Sequence, residues 1–175
     1  MTTQDLKKSK HVIYASNGIC LIEEIKKISF VKGEPEKIYF ILKPLNDKNS
    51  TIYIPEDNQL LLDKIRNTVT EKEIIKITQD TKIGNVEWID DRKQRSAQYR
   101  KLLSSPHPSE LLPVIKSIEK KKSELAEVGK KLSAADKEML DASLCLVKDE
   151  FAFALKPDKA TKYIADAIGY IPSQT

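Results

Sequence analysis

Ser50-Thr-Ile-Tyr-Ile-Pro-Glu-Asp57 is the stretch at which the chain changes character. Ile52, Tyr53 and Ile54 favour a strand, and Pro55, which lacks a backbone donor, stops it. Before this point the sequence reads as short strands and turns; after it the apolar residues recur with helical spacing. Strands followed by helices, without alternation, define an α+β chain.

Working back, His11-Val-Ile-Tyr14 is a short apolar run. Ala15-Ser-Asn-Gly18 is a turn signal in which Gly18 can take a positive φ. Ile19 to Ile28 is rich in β-branched residues and carries Glu23, Glu24, Lys26 and Lys27. Val31-Lys-Gly-Glu-Pro35 is a second turn, Lys37-Ile-Tyr-Phe-Ile-Leu42 a strand, and Pro44 to Asn49 a loop. Strands this short and closely spaced predict a small curled sheet or SH3-like β-barrel. Such barrels serve as interaction modules, and a strand ending at Pro55 offers an edge for a partner.

Working forward, Asp57 to Ile65 predicts a short helix carrying Leu60, Leu61 and Ile65. Thr70-Glu-Lys-Glu73 matches a capping box and opens a helix with Ile74, Ile75 and Ile77. Gly84 and Asn85 then break the pattern. A helix is expected from about Ser109 to Val128, with Pro113 tolerated in its first turn and Gly129 just past its end. Ser133-Ala-Ala-Asp136 caps the next, whose Leu140, Leu144, Val147, Phe151 and Leu155 form a core stripe. Pro157 opens a last helix, closed by Gly169. Two domains are predicted, residues 1–65 and an all-α domain at 70–175, hinged between Pro55 and Thr70.

Residues 86–102, Val-Glu-Trp-Ile-Asp-Asp-Arg-Lys-Gln-Arg-Ser-Ala-Gln-Tyr-Arg-Lys-Leu, hold the chain's one tryptophan and its densest arginine cluster. With no Pro or Gly they predict a single helix, placing Trp88, Arg92, Arg95 and Tyr99 on one face. An aromatic followed by guanidinium groups suits a nucleic-acid surface. A tryptophan packed on its own domain, with arginines in solvent, accounts for the same residues. Lys93, Arg100 and Lys101 add charge around this helix.

At 175 residues, 40% hydrophobic and 32% charged, the chain has the composition of a globular protein with one or two small cores. Its net charge of +4 is unevenly placed. Residues 88–131 carry eleven Lys/Arg against six Asp/Glu, residues 132–175 five against seven, and residues 1–87 fourteen against thirteen. The excess therefore lies in the middle segment, as a local nucleic-acid footprint would place it. No apolar run is long enough to span a membrane. Residues 1–10 are polar and lysine-rich with no apolar segment following, unlike a secretory signal. Cys20 and Cys145 sit in apolar contexts and read as buried free thiols in a reducing cytosol, so a soluble cytoplasmic protein is expected.

Enzymatic chemistry finds little support. Five scattered glycines form no phosphate-cradling loop, and His11 and His107 are too few to build a zinc site with the two cysteines. Asp90-Asp91 and Glu23-Glu24 are adjacent carboxylates whose side chains diverge. A non-enzymatic protein without cofactor, metal or small-molecule substrate is expected.

Taken together, His11-Val-Ile-Tyr-Ala-Ser-Asn-Gly-Ile19, Lys32-Gly-Glu34, Tyr39-Phe-Ile-Leu-Lys43 and Ile52-Tyr-Ile-Pro-Glu56 resemble the CarD/CdnL family of bacterial RNA polymerase-binding regulators. In the helical half, Trp88 followed by basic residues and Leu132-Ser-Ala-Ala-Asp-Lys-Glu-Met-Leu140 extend the resemblance. Ala15 stands where that family usually has proline, and Tyr53 where some members carry an arginine that contacts polymerase. The resemblance implies a Tudor-like N-terminal module docking on the RNA polymerase β subunit, with Lys27, Ile52, Tyr53, Ile54 and Pro55 as the contacting set. It implies a helical domain reaching promoter DNA near the upstream edge of the bubble and altering open-complex stability. Trp88 would be a wedge in the minor groove, with Arg92, Lys93 and Arg95 as backbone contacts. Two alternatives remain open: a polymerase-binding regulator whose helices hold another protein, and a barrel-plus-helices RNA-binding or ribosome-associated module.

Overall fold

The computed structural model describes residues 5–79 and 86–169. The chain forms two compact units, residues 1–68 and 69–175, each with its own apolar core. The expected break at Gly84 and Asn85 lies outside the described residues.

The first unit is a five-stranded antiparallel sheet in the order β4-β3-β2-β1-β5. Its strands are β1 (His11–Tyr14), β2 (Ile19–Ile28), β3 (Lys37–Pro44), β4 (Ile52–Pro55) and β5 (Ile65–Arg66). Between β1 and β2 the chain turns through Ala15–Asn17, and Gly18 takes φ 67° with ψ −137°, a conformation a side chain would oppose. In β2, Ile22 pairs with Leu42 and Glu24 with Ile41, so Glu23 is an extra, bulged residue. Val12, Ile22, Phe40, Leu42 and Ile54 close the core on one face.

A short helix, α1 (Gln59–Leu62), capped by the Asn58 side chain, joins β4 to β5. The helix expected over Asp57 to Ile65 is thus cut short. Ile65 instead pairs with Tyr14, as Arg66 does with Ile13. Neighbouring strand demand overrides the helical spacing of so few residues.

The second unit comprises α2 (Glu71–Gln79), α3 (Arg92–Ser104), α4 (Pro108–Glu127), α5 (Ala134–Ala154) and α6 (Pro157–Ile168). The capping box at α2 is reciprocal: Glu73 takes the Thr70 amide at 2.7 Å, and the Thr70 hydroxyl takes the Glu73 amide at 3.4 Å. At the end of α4 the Gly129 and Lys130 amides donate to the Ala126 and Leu125 carbonyls, with Gly129 at φ +68°. α4 begins at Pro108, which puts Pro113 in its second turn rather than its first. The Pro113 ring therefore deprives the Ser109 carbonyl of its helical donor. Leu111, Leu112, Ile115, Ile118, Leu140, Val147, Phe151 and Ile164 fill the core. The layout is α+β, with a Tudor-like sheet unit followed by helices.

Candidate nucleic-acid interface and docking face

The helix expected across residues 86–102 begins only at Arg92, because Asp91 caps it by accepting the Gln94 amide at 2.7 Å. Residues 86–91 run ahead of the helix without regular secondary structure, so Trp88 does not share a helical face with Arg92, Arg95 and Tyr99. The overlooked signal was Asp91 with Gln94 three residues on, a cap pattern inside the supposed helix.

Trp88 nevertheless meets one of those residues. The Arg95 guanidinium lies 4.3 Å from its ring centroid, and the Lys121 ammonium of α4 lies 5.7 Å away. The indole is half-buried, packing partly on the helical core. Its remaining surface lines a groove of about 510 Å³ with Val86, Pro113 and Ile168. Lys116, Lys120 and Lys121 on that groove are matched by Glu87, Glu119 and Glu124.

Arg95 is buried, not displayed to solvent as a backbone contact would be. Its Nε and Nη2 donate to the two carboxylate oxygens of Asp136 at 2.7 and 3.0 Å. Nη1 donates to the carbonyls of Ile89 and Asp90, directly after Trp88. Four of its five N–H donors are thus committed within the helical unit. Burial pushes the Asp136 carboxyl up, but hydrogen bonds from Arg95 and Ser133 outweigh this and hold it below its ordinary value. The Tyr99 hydroxyl, buried beside them, is pushed up to about 12.

Arg92 and Lys93 are exposed in the first turn of α3, where the sequence places backbone contacts. Among the described residues no three His, Cys, Asp or Glu side chains are arranged to hold a metal, and no helix is long and apolar enough to cross a membrane.

In the sheet unit, β4 is an edge strand. Its residues alternate: Ile54 is fully buried and Ile52 packs on the core, whereas Tyr53 is 43% exposed. Of the expected polymerase-contacting set, Tyr53 and Lys27 therefore present side chains outward, and Ile54 has only its backbone to offer. Lys27 lies on β2, two strands from that edge, and pairs with Ile38 of β3. Sequence reading missed Phe30, which is 62% exposed and stacks edge-on against Tyr39 and Tyr53 at 5.1 and 5.4 Å. Its signal was the apolar pair Phe30-Val31 at the start of a turn. Phe30, Val31 and Tyr53 form an exposed apolar patch.

A small antiparallel sheet with an open edge and an aromatic outer patch defines an interaction module. Residues 6–67 match the family described as the CarD-like/TRCF RID domain. The sheet unit is thus a CarD-like domain, consistent with a CarD/CdnL-like protein, and the match supports an RNA polymerase-interacting transcription factor. No curated protein matches the chain significantly.

Proposed function

We propose that the protein binds the β subunit of RNA polymerase through its sheet unit and promoter DNA at the upstream edge of the bubble through its helices, where Trp88 acts as a wedge that alters open-complex stability. The observation that carries this reading is the mounting of Trp88: a large aromatic on a non-helical segment, held by a buried arginine and left partly open to solvent. Inserting a wedge into an intact base step costs a few kcal/mol and much less where strands have separated. Such a wedge binds the open state better than the closed one, and so shifts the equilibrium between them. Arg92 and Lys93, exposed beside it, hold phosphates without reading sequence. Arg95, which the sequence assigned the same role, instead supports the Trp88 segment from behind.

On the polymerase side the family match is joined by the open β4 edge and the patch of Phe30, Tyr39 and Tyr53. The mild net charge of +4 suits a DNA contact made by a protein already tethered through another surface. No catalytic group or cofactor is required.

The test is the lifetime of the open complex on a fluorescent promoter with cognate polymerase. Wild type should change the lifetime, and Trp88→Ala should lose most of that change while still binding polymerase. Equal effects from both proteins would make Trp88 a packing residue only. Absence of polymerase binding by either would sink the whole assignment.

A further inference from the structure

The helical unit carries its cations in two different ways. On α4, Lys116, Lys120, Lys121 and Lys122 are balanced by Glu110, Glu119, Glu124 and Glu127. Two of these lysines are in i,i+3 ion pairs, Lys122 with Glu119 at 3.2 Å and Lys121 with Glu124 at 3.3 Å. α6 is balanced likewise, and α5 is net acidic. α3 alone has no acid: its thirteen residues include Arg92, Lys93, Arg95, Arg100 and Lys101 and not one Asp or Glu.

Its two faces divide this charge. Arg95 and Tyr99 point inward and are buried, with Leu102 and Leu103 half-buried beside them. Arg92, Lys93, Arg100 and Lys101 are all exposed, and among the described residues none has an ion-pair partner. At 100° per residue, Lys93, Arg100 and Lys101 fall within about 100° of one another on the outward side, whereas Arg92 stands over the stripe of Tyr99 and Leu103 and is exposed at the first turn. Between the two pairs lie Ser96 and Ala97, the smallest side chains on the helix.

Helix stability does not explain this pattern. Arg92 and Lys93 occupy the first turn, where the helix dipole disfavours cations, and the carboxylates at that end are the capping Asp91 and Asp90 before it, not residues of the helix itself. Four exposed cations without a carboxylate on their helix repel one another. Lys101 in the last turn suits the helix dipole, but an anionic surface meeting this face would relieve the repulsion among all four.

We propose that the outward face of α3 is a phosphodiester track: Arg100 and Lys101 continue the DNA contact begun by Arg92 and Lys93, and Ser96 and Ala97 let the sugar–phosphate backbone approach closely between them. The step from Arg92 to Arg100 is about 12 Å along the helix, the length of three or four base pairs measured along a duplex axis at about 3.4 Å each. The occupant is duplex DNA beside the site at which Trp88 acts. This rests on the DNA reading above and adds residues to it.

The experiment uses the full chain and a fluorescent forked duplex, with anisotropy followed as a function of salt. Each phosphate contact contributes about 0.9 to the slope of log affinity against log salt. Arg100→Gln with Lys101→Gln should lower that slope by about 1.8 and weaken binding at low salt, with an unchanged circular dichroism spectrum. The control is Lys122→Gln on α4 with Lys159→Gln on α6, both already ion-paired and off the Trp88 groove, which should leave the slope where it was. An unchanged slope and affinity in the Arg100/Lys101 variant, alongside loss in an Arg92→Gln/Lys93→Gln variant, would overturn the track while keeping the DNA reading. Failure of wild type to bind any DNA, or tighter binding to an RNA hairpin of matching sequence, would overturn both.

Discussion

Arg95 and Asp136, forty-one residues apart, meet as a buried two-point ion pair, Nε to one carboxylate oxygen at 2.7 Å and Nη2 to the other at 3.0 Å. The pair ties α3 to the start of α5. Through Nη1 and the guanidinium face it also holds the segment bearing Trp88.

Breaking this pair from one side strands a charge in the interior. Asp136→Ala should cost about 3–5 kcal/mol, read by urea denaturation, because Arg95 keeps its charge without a partner. Arg95→Lys should fail to restore the wild type, since an ammonium cannot reach a carboxylate and two carbonyls at once with the same geometry. As Trp88 is the chain's one tryptophan, its emission should shift to the red in both variants.

The same pair predicts an acid-side dependence. Asp136 is held below its ordinary value in the folded chain, so the unfolded chain takes up its proton first as pH falls. Its contribution is therefore fully present above the unfolded carboxyl value of about 4 and is lost as pH falls through the lower folded value. Comparing unfolding midpoints at pH 7 and pH 3, the wild type should lose more stability than Asp136→Asn. Equal losses would mean that other carboxylates govern acid unfolding.

On the sheet unit, Tyr53→Ala and Phe30→Ala should weaken polymerase binding with little change in melting temperature, because neither ring belongs to the buried core. Ile54→Ala should do the reverse. Removing a fully buried isoleucine costs about 2–5 kcal/mol, and its side chain faces the core rather than a partner. Surface-immobilised polymerase and thermal melts separate the two effects.

The two thiols should differ in reactivity. Burial pushes Cys20 up to about 11, and its side chain is closed off from solvent. Cys145 is exposed, though burial of its sulfur and the nearby Asp149 raise it as well. At pH 8 a thiol reagent should modify Cys145 first, and Cys20 only at the rate of unfolding.

Much of the fold was legible because it is local. Thr70 with Glu73, Ser133 with Asp136 and Gly129 after Leu125 mark helix ends through bonds between residues three to five apart, and such bonds are written in the sequence. Strand alternation around Pro55 likewise placed β4. The helix predicted over residues 86–102 starts only at Arg92 because Asp91 caps it, a signal that the absence of Pro and Gly does not reveal.

What the sequence determined alone is the order of sheet and helices, the caps, the core stripe of α5 and the basic character of residues 88–131. Only the tertiary structure decided that Ile65 joins a strand, since pairing with Tyr14 needs the rest of the sheet in place. It alone separated the arginines, turning Arg95 inward and leaving Arg92 and Arg100 outward. A guanidinium is costly to bury without a carboxylate, and the carboxylate that makes burial possible comes from a helix far along the chain.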